Sequence, residues 1–173
     1  CTTRPDAALG YAACEGAAAG NYQDGCFGAG TGASVGKYYG MEQAMKTGIG
    51  SYAVQLGELK VGAVVAVNAL GDVFDWKDGR QVAGLLAADQ SGFLRTEAEM
   101  DRHTQSVKNK FVGNTTIGAV LTNACFSKTE MNKIAAMAQN GLVRAIRPVN
   151  TTADGDSLYA LSAGSLEADL DVV

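Results

Sequence analysis

The chain has 173 residues, 47% of them hydrophobic, enough for one domain with a true core. Its 22 glycines and two prolines point to tight turns and close backbone packing, since a disordered chain is richer in proline and charge. A net charge of -4 gives no electrostatic footprint for nucleic acid or an anionic membrane, and no apolar run approaches a membrane span.

Cys1, Cys14, Cys26 and Cys125 show neither paired CxxC nor Cys/His zinc spacing, and His103 is the only histidine. No signal-peptide pattern supports a secreted disulfide framework, so buried or free thiols in a reducing, cytoplasmic compartment are expected. No metal or other cofactor is called for. The chain opens on Cys1 rather than Met, and "LEADLDVV" stops without a cap, as in a piece of a larger protein.

In chain order, "TTRPDAALGYAACEGAAAG" reads as a helix. Thr3 can cap it, Pro5 suits its first turn, Asp6 favours the positive end of the dipole and Gly20 can close it. Its alanines make it thin enough to lie close to a sheet. A glycine-dense loop follows over 24–40. Two strand-like runs then flank a short turn at 57–60, and the almost uniformly apolar 61–67 should be a central strand buried on both faces, ending in Asn68.

Residues 95–110 are charged and weakly periodic, which suits an exposed loop, a surface helix or a linker. A strand over 116–121 follows. Ser127-x-x-Glu130 is a capping box heading an amphipathic helix, with Met131, Ile134, Ala135, Ala138 and Leu142 as its apolar stripe. The chain turns through Pro148 into a last strand over 157–161. The alternation is that of a layered α/β domain without internal repeats.

Several motifs carry weaker readings. Gly28-Ala29-Gly30-Thr31-Gly32-Ala33 satisfies GxGxxA, but no strand precedes it and no acid stands about 20 residues on. A phosphate loop is excluded too, because Tyr38 follows Lys37 where Ser or Thr must hold magnesium. The loop more plausibly lets backbone approach something closely, a substrate for example, with Lys37 as its one strong charge. Asn114-Thr115-Thr116 and Asn150-Thr151-Thr152 match the glycosylation pattern, which arises often by chance. Asp154-Gly155-Asp156 reads as an Asp-Gly turn, since no further ligands follow at EF-hand spacing. His103 is expected to be solvated.

"VGNTTIGAV" over 112–120 has two readings. In one, Gly-Asn makes a turn and β-branched threonines begin a strand. In the other, the Asn114–Thr115 bond is cut by the protein itself. A threonine hydroxyl can attack the preceding carbonyl, and water can open the resulting ester. The new chain start then holds a nucleophile and, in its own α-amine with a pKa near ~8, a base. Local sequence alone favours the turn.

"RPDAALGYAAC", "GAGTGASVGK", "VGAVVAVNALGDV", "GNTTIGAVLTNA" and "AIRPVNTTADGDSLYAL", in this order, resemble the self-cleaving hydrolase family of L-aminopeptidase/D-esterases, β-peptidyl aminopeptidases and nylon-oligomer hydrolases, peptidase family S58. The resemblance covers almost the whole chain and is weakest over 84–111. It implies a four-layer αββα sandwich of the N-terminal-nucleophile type, partial here, with residues 1–114 ending a first subunit and 115–173 forming the second.

By motif, the resemblance implies Thr115 as nucleophile, Asn114 as the last residue before the cut, and Asn68 as oxyanion donor. Lys37 and the pair Asp154 and Asp156 match the nylon-hydrolase branch, where the acids orient the nucleophile and its amine. The implied substrates are small peptides, amides or esters, and the implied assembly is a homo-oligomer of processed subunit pairs. The stretch that precedes "RPDAALGY" in family members is absent here. Two alternatives stand beside this reading. An ornithine-type acetyltransferase shares the architecture but needs an Ala-Thr-Met junction that is missing, and a non-catalytic binding domain would have no need of Thr115, Asn68 and both acids.

Overall fold

The computed structural model describes residues 4–103 and 113–173. Its centre is a sheet built from the apolar runs of the sequence. Strands β3 (Ile49–Leu56) and β4 (Leu59–Asn68) form a hairpin around residues 57–58, with Leu56 opposite Leu59. β4 pairs antiparallel with β7 (Thr115–Ala124), and β7 pairs parallel with β9 (Ser157–Leu166), giving the order β3-β4-β7-β9. A parallel pair needs a crossover, and α3 (Lys128–Ala145) supplies it.

The start of α3 follows the expected chemistry. Ser127 accepts from the Glu130 main-chain N–H, and the Glu130 carboxylate returns to the Ser127 N–H at 2.8 Å. Met131, Ile134 and Leu142 are buried, while Ala135 and Ala138 are half-buried, so the predicted stripe faces inward. Leu142 and Ile146 pack with Val35 and Ala69, flanked by Val65 and Val67 of β4 and Leu158 of β9. These residues mark the sheet face that α3 covers.

The other face differs from expectation. Along β4 only Leu59 and Ala66 are buried, and the rest of the apolar run over 61–67 is half-buried. The reason is that the face bearing Ile117 and Leu121, with Tyr159 and Leu161 opposite on β9, is open among the described residues: these four are 44%, 39%, 65% and 46% exposed. Among the described residues, α3 thus covers one face of this central sheet. The first helix is also shorter than its sequence suggested. α1 (Ala7–Glu15) is capped by the Asp6 carboxylate on the Leu9 N–H at 2.8 Å and closes at Gly16, and none of its residues is buried. Thr3 lies outside the described residues.

The glycine loop holds a short 3-10 turn and β1 (Ser34–Val35), which pairs with β2 (Met45–Lys46). The backbone it approaches is the protein's own. Gly36 sits at φ +67° against the backbone of Gly84 and Leu85, where any Cβ would collide. Its N–H donates to the Gly71 carbonyl and that of Lys37 to the Leu70 carbonyl, which lashes this loop to the chain just past β4.

A smaller sheet, ordered β6-β5-β8, joins β5 (Asp72–Phe74), β6 (Gln81–Ala83) and β8 (Ile146–Arg147). Asp72 is 1% exposed and accepts from the Leu85 N–H, the Thr96 N–H and the Thr96 hydroxyl at 2.7–2.8 Å. Burial pushes its carboxyl above the usual range, against the pull of those donors. The charged segment after residue 95 is therefore anchored. It opens as α2 (Thr96–Arg102) with Thr96 and Glu99 buried, and residues 104–112 lie outside the described residues. His103 is exposed, as expected, but also bonded: Nδ1 lies 2.9 Å from the Glu99 carbonyl, and its ring stands edge-on to Tyr39.

Removing the Asp72 carboxylate leaves three donors without their charged acceptor. Asp72→Ala is expected to lower the free energy of unfolding by about 3 kcal/mol. Urea unfolding followed by circular dichroism measures it, and a loss below about 0.5 kcal/mol would mean that the cluster is not a tertiary clamp.

Candidate active site

Three strand ends meet at one edge of the central sheet. Antiparallel pairing sets the last residue of β4, Asn68, opposite the first residue of β7, Thr115. Parallel pairing sets the start of β9 beside the start of β7, which delivers the 154–156 segment to the same place. Residues as far apart in the chain as Asn68 and Asp156 thus converge because of sheet topology. Asn68 and Thr115 line a cavity of about 320 Å³ whose other walls include Gly32, Ala33, Ala66 and Ile117.

Lys37 reaches this edge from the glycine loop and is 0% exposed. Its ammonium donates to the Asn68 Oδ1 at 2.6 Å and to the Asn68 carbonyl at 3.0 Å. The Ser34 N–H also donates to that Oδ1, at 3.2 Å. Two donors on one side define the orientation of the amide: its oxygen faces Lys37 and Ser34, and its nitrogen faces the junction. There the Asn68 Nδ2 donates to the Gly113 carbonyl at 2.8 Å. Burial lowers the Lys37 pKa to about 8, with the Asp154 carboxylate pulling the other way.

Asn114 is 2% exposed and forms a parallel bridge with Asp154. Its carbonyl oxygen accepts from the Thr115 hydroxyl at 2.5 Å and from the Gly155 N–H at 2.8 Å. The hydroxyl of Thr115 therefore lies directly against the peptide bond that precedes it. Such burial also makes Asn114 a poor glycosylation acceptor.

The two acids brace this geometry. Asp154 accepts from the Leu70 N–H through Oδ1, and from the Thr151 N–H and hydroxyl through Oδ2, at 3.1, 3.1 and 2.6 Å. Asp156 accepts from the Thr116 N–H at 2.6 Å. Among the described hydrogen bonds neither carboxylate reaches the Thr115 hydroxyl: Asp156 holds the main chain just after it, and Asp154 holds Leu70 and Thr151. All five residues singled out by motif, Lys37, Asn68, Thr115, Asp154 and Asp156, are brought to this edge. Sequence reasoning missed the main-chain donors of Ser34 and Gly155, which no side-chain letter announces, and Thr151, whose Thr-x-x-Asp spacing was a legible turn signal.

Comparison with known proteins adds a lineage. The model of peptidase family S58 matches residues 4–171. An uncharacterised aminopeptidase of Mycobacterium leprae (strain TN) is 39% identical over 170 residues, which are 95% of this chain and 46% of that protein. The 6-aminohexanoate-oligomer endohydrolase of Agromyces sp. (strain KY5R) is 35% identical over 169 residues, again 94% of this chain and 46% of that protein. The chain thus spans about half the length of these curated relatives. The structure of an L-aminopeptidase D-Ala-esterase/amidase from Ochrobactrum anthropi, described as a variant of the Ntn hydrolase fold, superposes with a TM-score of 0.59 at 20% identity. It covers 90% of this chain and 36% of its own, and the likeness is one of fold. The α/β architecture is accordingly that of an Ntn hydrolase fold, and the match over residues 4–171 means that the chain belongs to peptidase family S58.

Proposed function

We propose that this chain is the junction-bearing part of a self-processing amide hydrolase that cuts its own Asn114–Thr115 bond and then uses Thr115 as an N-terminal nucleophile. The observation that carries this reading is the Thr115 hydroxyl, 2.5 Å from the carbonyl oxygen of the bond before it. A threonine that merely opened a strand would have no need of a buried lysine, an oriented asparagine and two acids around it. In this reading residues 1–114 end one subunit and 115–173 form the next. The freed α-amine of Thr115, with a pKa near ~8, serves as its base.

Each neighbour then has a role. The Asn68 amide, presented nitrogen-first, stabilises the oxyanion formed on a substrate carbonyl. Lys37 is a positioning residue, since both of its described bonds go to Asn68 and hold that orientation. Asp154 and Asp156 keep the 154–156 segment and Thr116 in register with the nucleophile. The substrate class is a small linear amide, peptide or ester, and the whole protein is expected to work as an oligomer of processed pairs. The Agromyces relative's name, an oligomer endohydrolase, supports a linear amide.

Intact-mass measurement of the full-length protein should show two chains matching a break at Asn114–Thr115. Thr115→Ala should stay as one chain and hydrolyse neither amide nor ester. Cleavage or turnover in that variant would sink the reading. Asn68→Ala in the processed enzyme should lower kcat by about 10²-fold, with a much smaller change in KM. An equal loss confined to KM would make Asn68 a binding group only.

Lys37 gives a pH signature. Its folded pKa of about 8 lies below the ordinary 10.5, so between these values the unfolded chain holds more protons than the folded one. Stability should therefore rise with pH from about 8 to 10, by at most ~1.4 kcal/mol per pH unit from this group. Chemical denaturation across that window measures it, and Lys37→Met should flatten the rise.

A further inference from the structure

The self-cleavage reading requires an oxyanion donor for the Asn114 carbonyl, and Asn68 does not occupy that position in the uncut chain. Its Nδ2 is committed to the Gly113 carbonyl, one residue upstream, and its Oδ1 is tied back by Lys37 and Ser34. The scissile carbonyl oxygen instead accepts from the Gly155 N–H, at 2.8 Å, and from the attacking hydroxyl itself. The hydroxyl gives up its proton as it attacks, so among the described donors to this oxygen the Gly155 N–H is the one that stays on the developing negative charge. Its distance falls within the 2.7–3.1 Å that such a donor needs.

Why residue 155 is glycine follows from the same geometry. A Cβ there would stand 2.9 Å from the Thr115 hydroxyl oxygen and 3.8 Å from the Asn114 carbonyl oxygen. The missing side chain leaves room for the nucleophile beside the donor. The flanking acids then hold that donor still: Asp154 is pinned by Leu70 and Thr151, and Asp156 by Thr116. A donor fixed before the reaction costs no reorganisation when charge appears.

We propose that the main-chain N–H of Gly155 is the oxyanion donor of the self-cleavage step. In that step the Thr115 Oγ forms a bond to the Asn114 carbonyl carbon, and the carbonyl oxygen takes the negative charge facing the Gly155 N–H. The Asn114–Thr115 C–N bond then breaks, the hydroxyl proton ends on the Thr115 nitrogen, and an ester remains. One water hydrolyses that ester to the Asn114 carboxylate and the free Thr115 hydroxyl.

This inference rests on the self-cleavage reading, and one experiment separates the two. An ester is built in place of the Asp154–Gly155 amide of the full-length protein, which removes only the Gly155 N–H, and Gly155→Pro serves as its genetic counterpart. A second ester, in place of the Asp24–Gly25 amide, removes the Gly25 N–H that donates to the Ile49 carbonyl and controls for the loss of one main-chain bond. Cleavage is timed by intact mass at a temperature where circular dichroism shows every variant folded. The expected result is about a 10²-fold slower cleavage in the Gly155 ester and an unchanged rate in the Gly25 ester. Equal rates in wild type and Gly155 ester would overturn the donor assignment while leaving self-cleavage intact. No cleavage in wild type, or cleavage in Thr115→Ala, would overturn both.

Discussion

Lys37 carries an ammonium group to a place without solvent contact, where a cation persists only if oxygen atoms replace its water. Asn68 supplies both of the described acceptors, one from its side chain and one from its main chain. That requirement turns the Asn68 amide nitrogen toward the junction, and Asn68 in turn lies opposite Thr115 through the β4–β7 register. The orientation of the site is thus a consequence of where one charge is buried. Because burial also lowers the lysine's pKa to about 8, the same contact makes the arrangement sensitive to mildly alkaline pH.

The scaffold around this contact consists of lashings between segments distant in sequence. Gly36 and Lys37 are tied to the residues just past β4 by main-chain bonds, and Asp154 reaches the Leu70 N–H from the far side. The 70–72 segment therefore stands between the glycine loop and the 154–156 segment. Asp72, two residues on, gathers Leu85 and Thr96 into the same body. The helix α3 packs on one face of the sheet, away from the cavity, so the edge that gathers Asn68 and Thr115 opens onto the opposite face.

That opposite face explains the largest departure from expectation. An almost uniformly apolar strand suggested burial on both sides, yet Ile117, Leu121 and Tyr159 leave one side of the sheet open. Hydrophobicity records that a face is suited to a partner layer; it carries no information on whether that layer lies in the same stretch of chain. The likeness to an Ntn hydrolase, of which this chain covers 36%, agrees with a fold whose layers are drawn from a longer sequence. The same limit applies to α1, whose alanine-rich face was expected near a sheet and is exposed throughout.

Local rules were enough where local chemistry decides. The capping box of Ser127 and Glu130, the stripe of α3, and the strands that became β4, β7 and β9 could be read directly, because periodicity and caps are encoded in neighbouring residues. The family resemblance, carried by motifs in order, also implied Lys37, Asn68, Thr115, Asp154 and Asp156 as the site, where local sequence alone favoured turns and a strand start. Tertiary structure alone decided how they face one another. It set Asn68 on Gly113 rather than on the Asn114 carbonyl, turned the acids toward backbone N–H groups, and put the Gly155 N–H on that carbonyl. Every residue except proline carries a main-chain donor, so no letter marks the one that matters. Strand register and the meeting of three strand ends pick it out, and both are products of packing rather than of any short stretch of sequence.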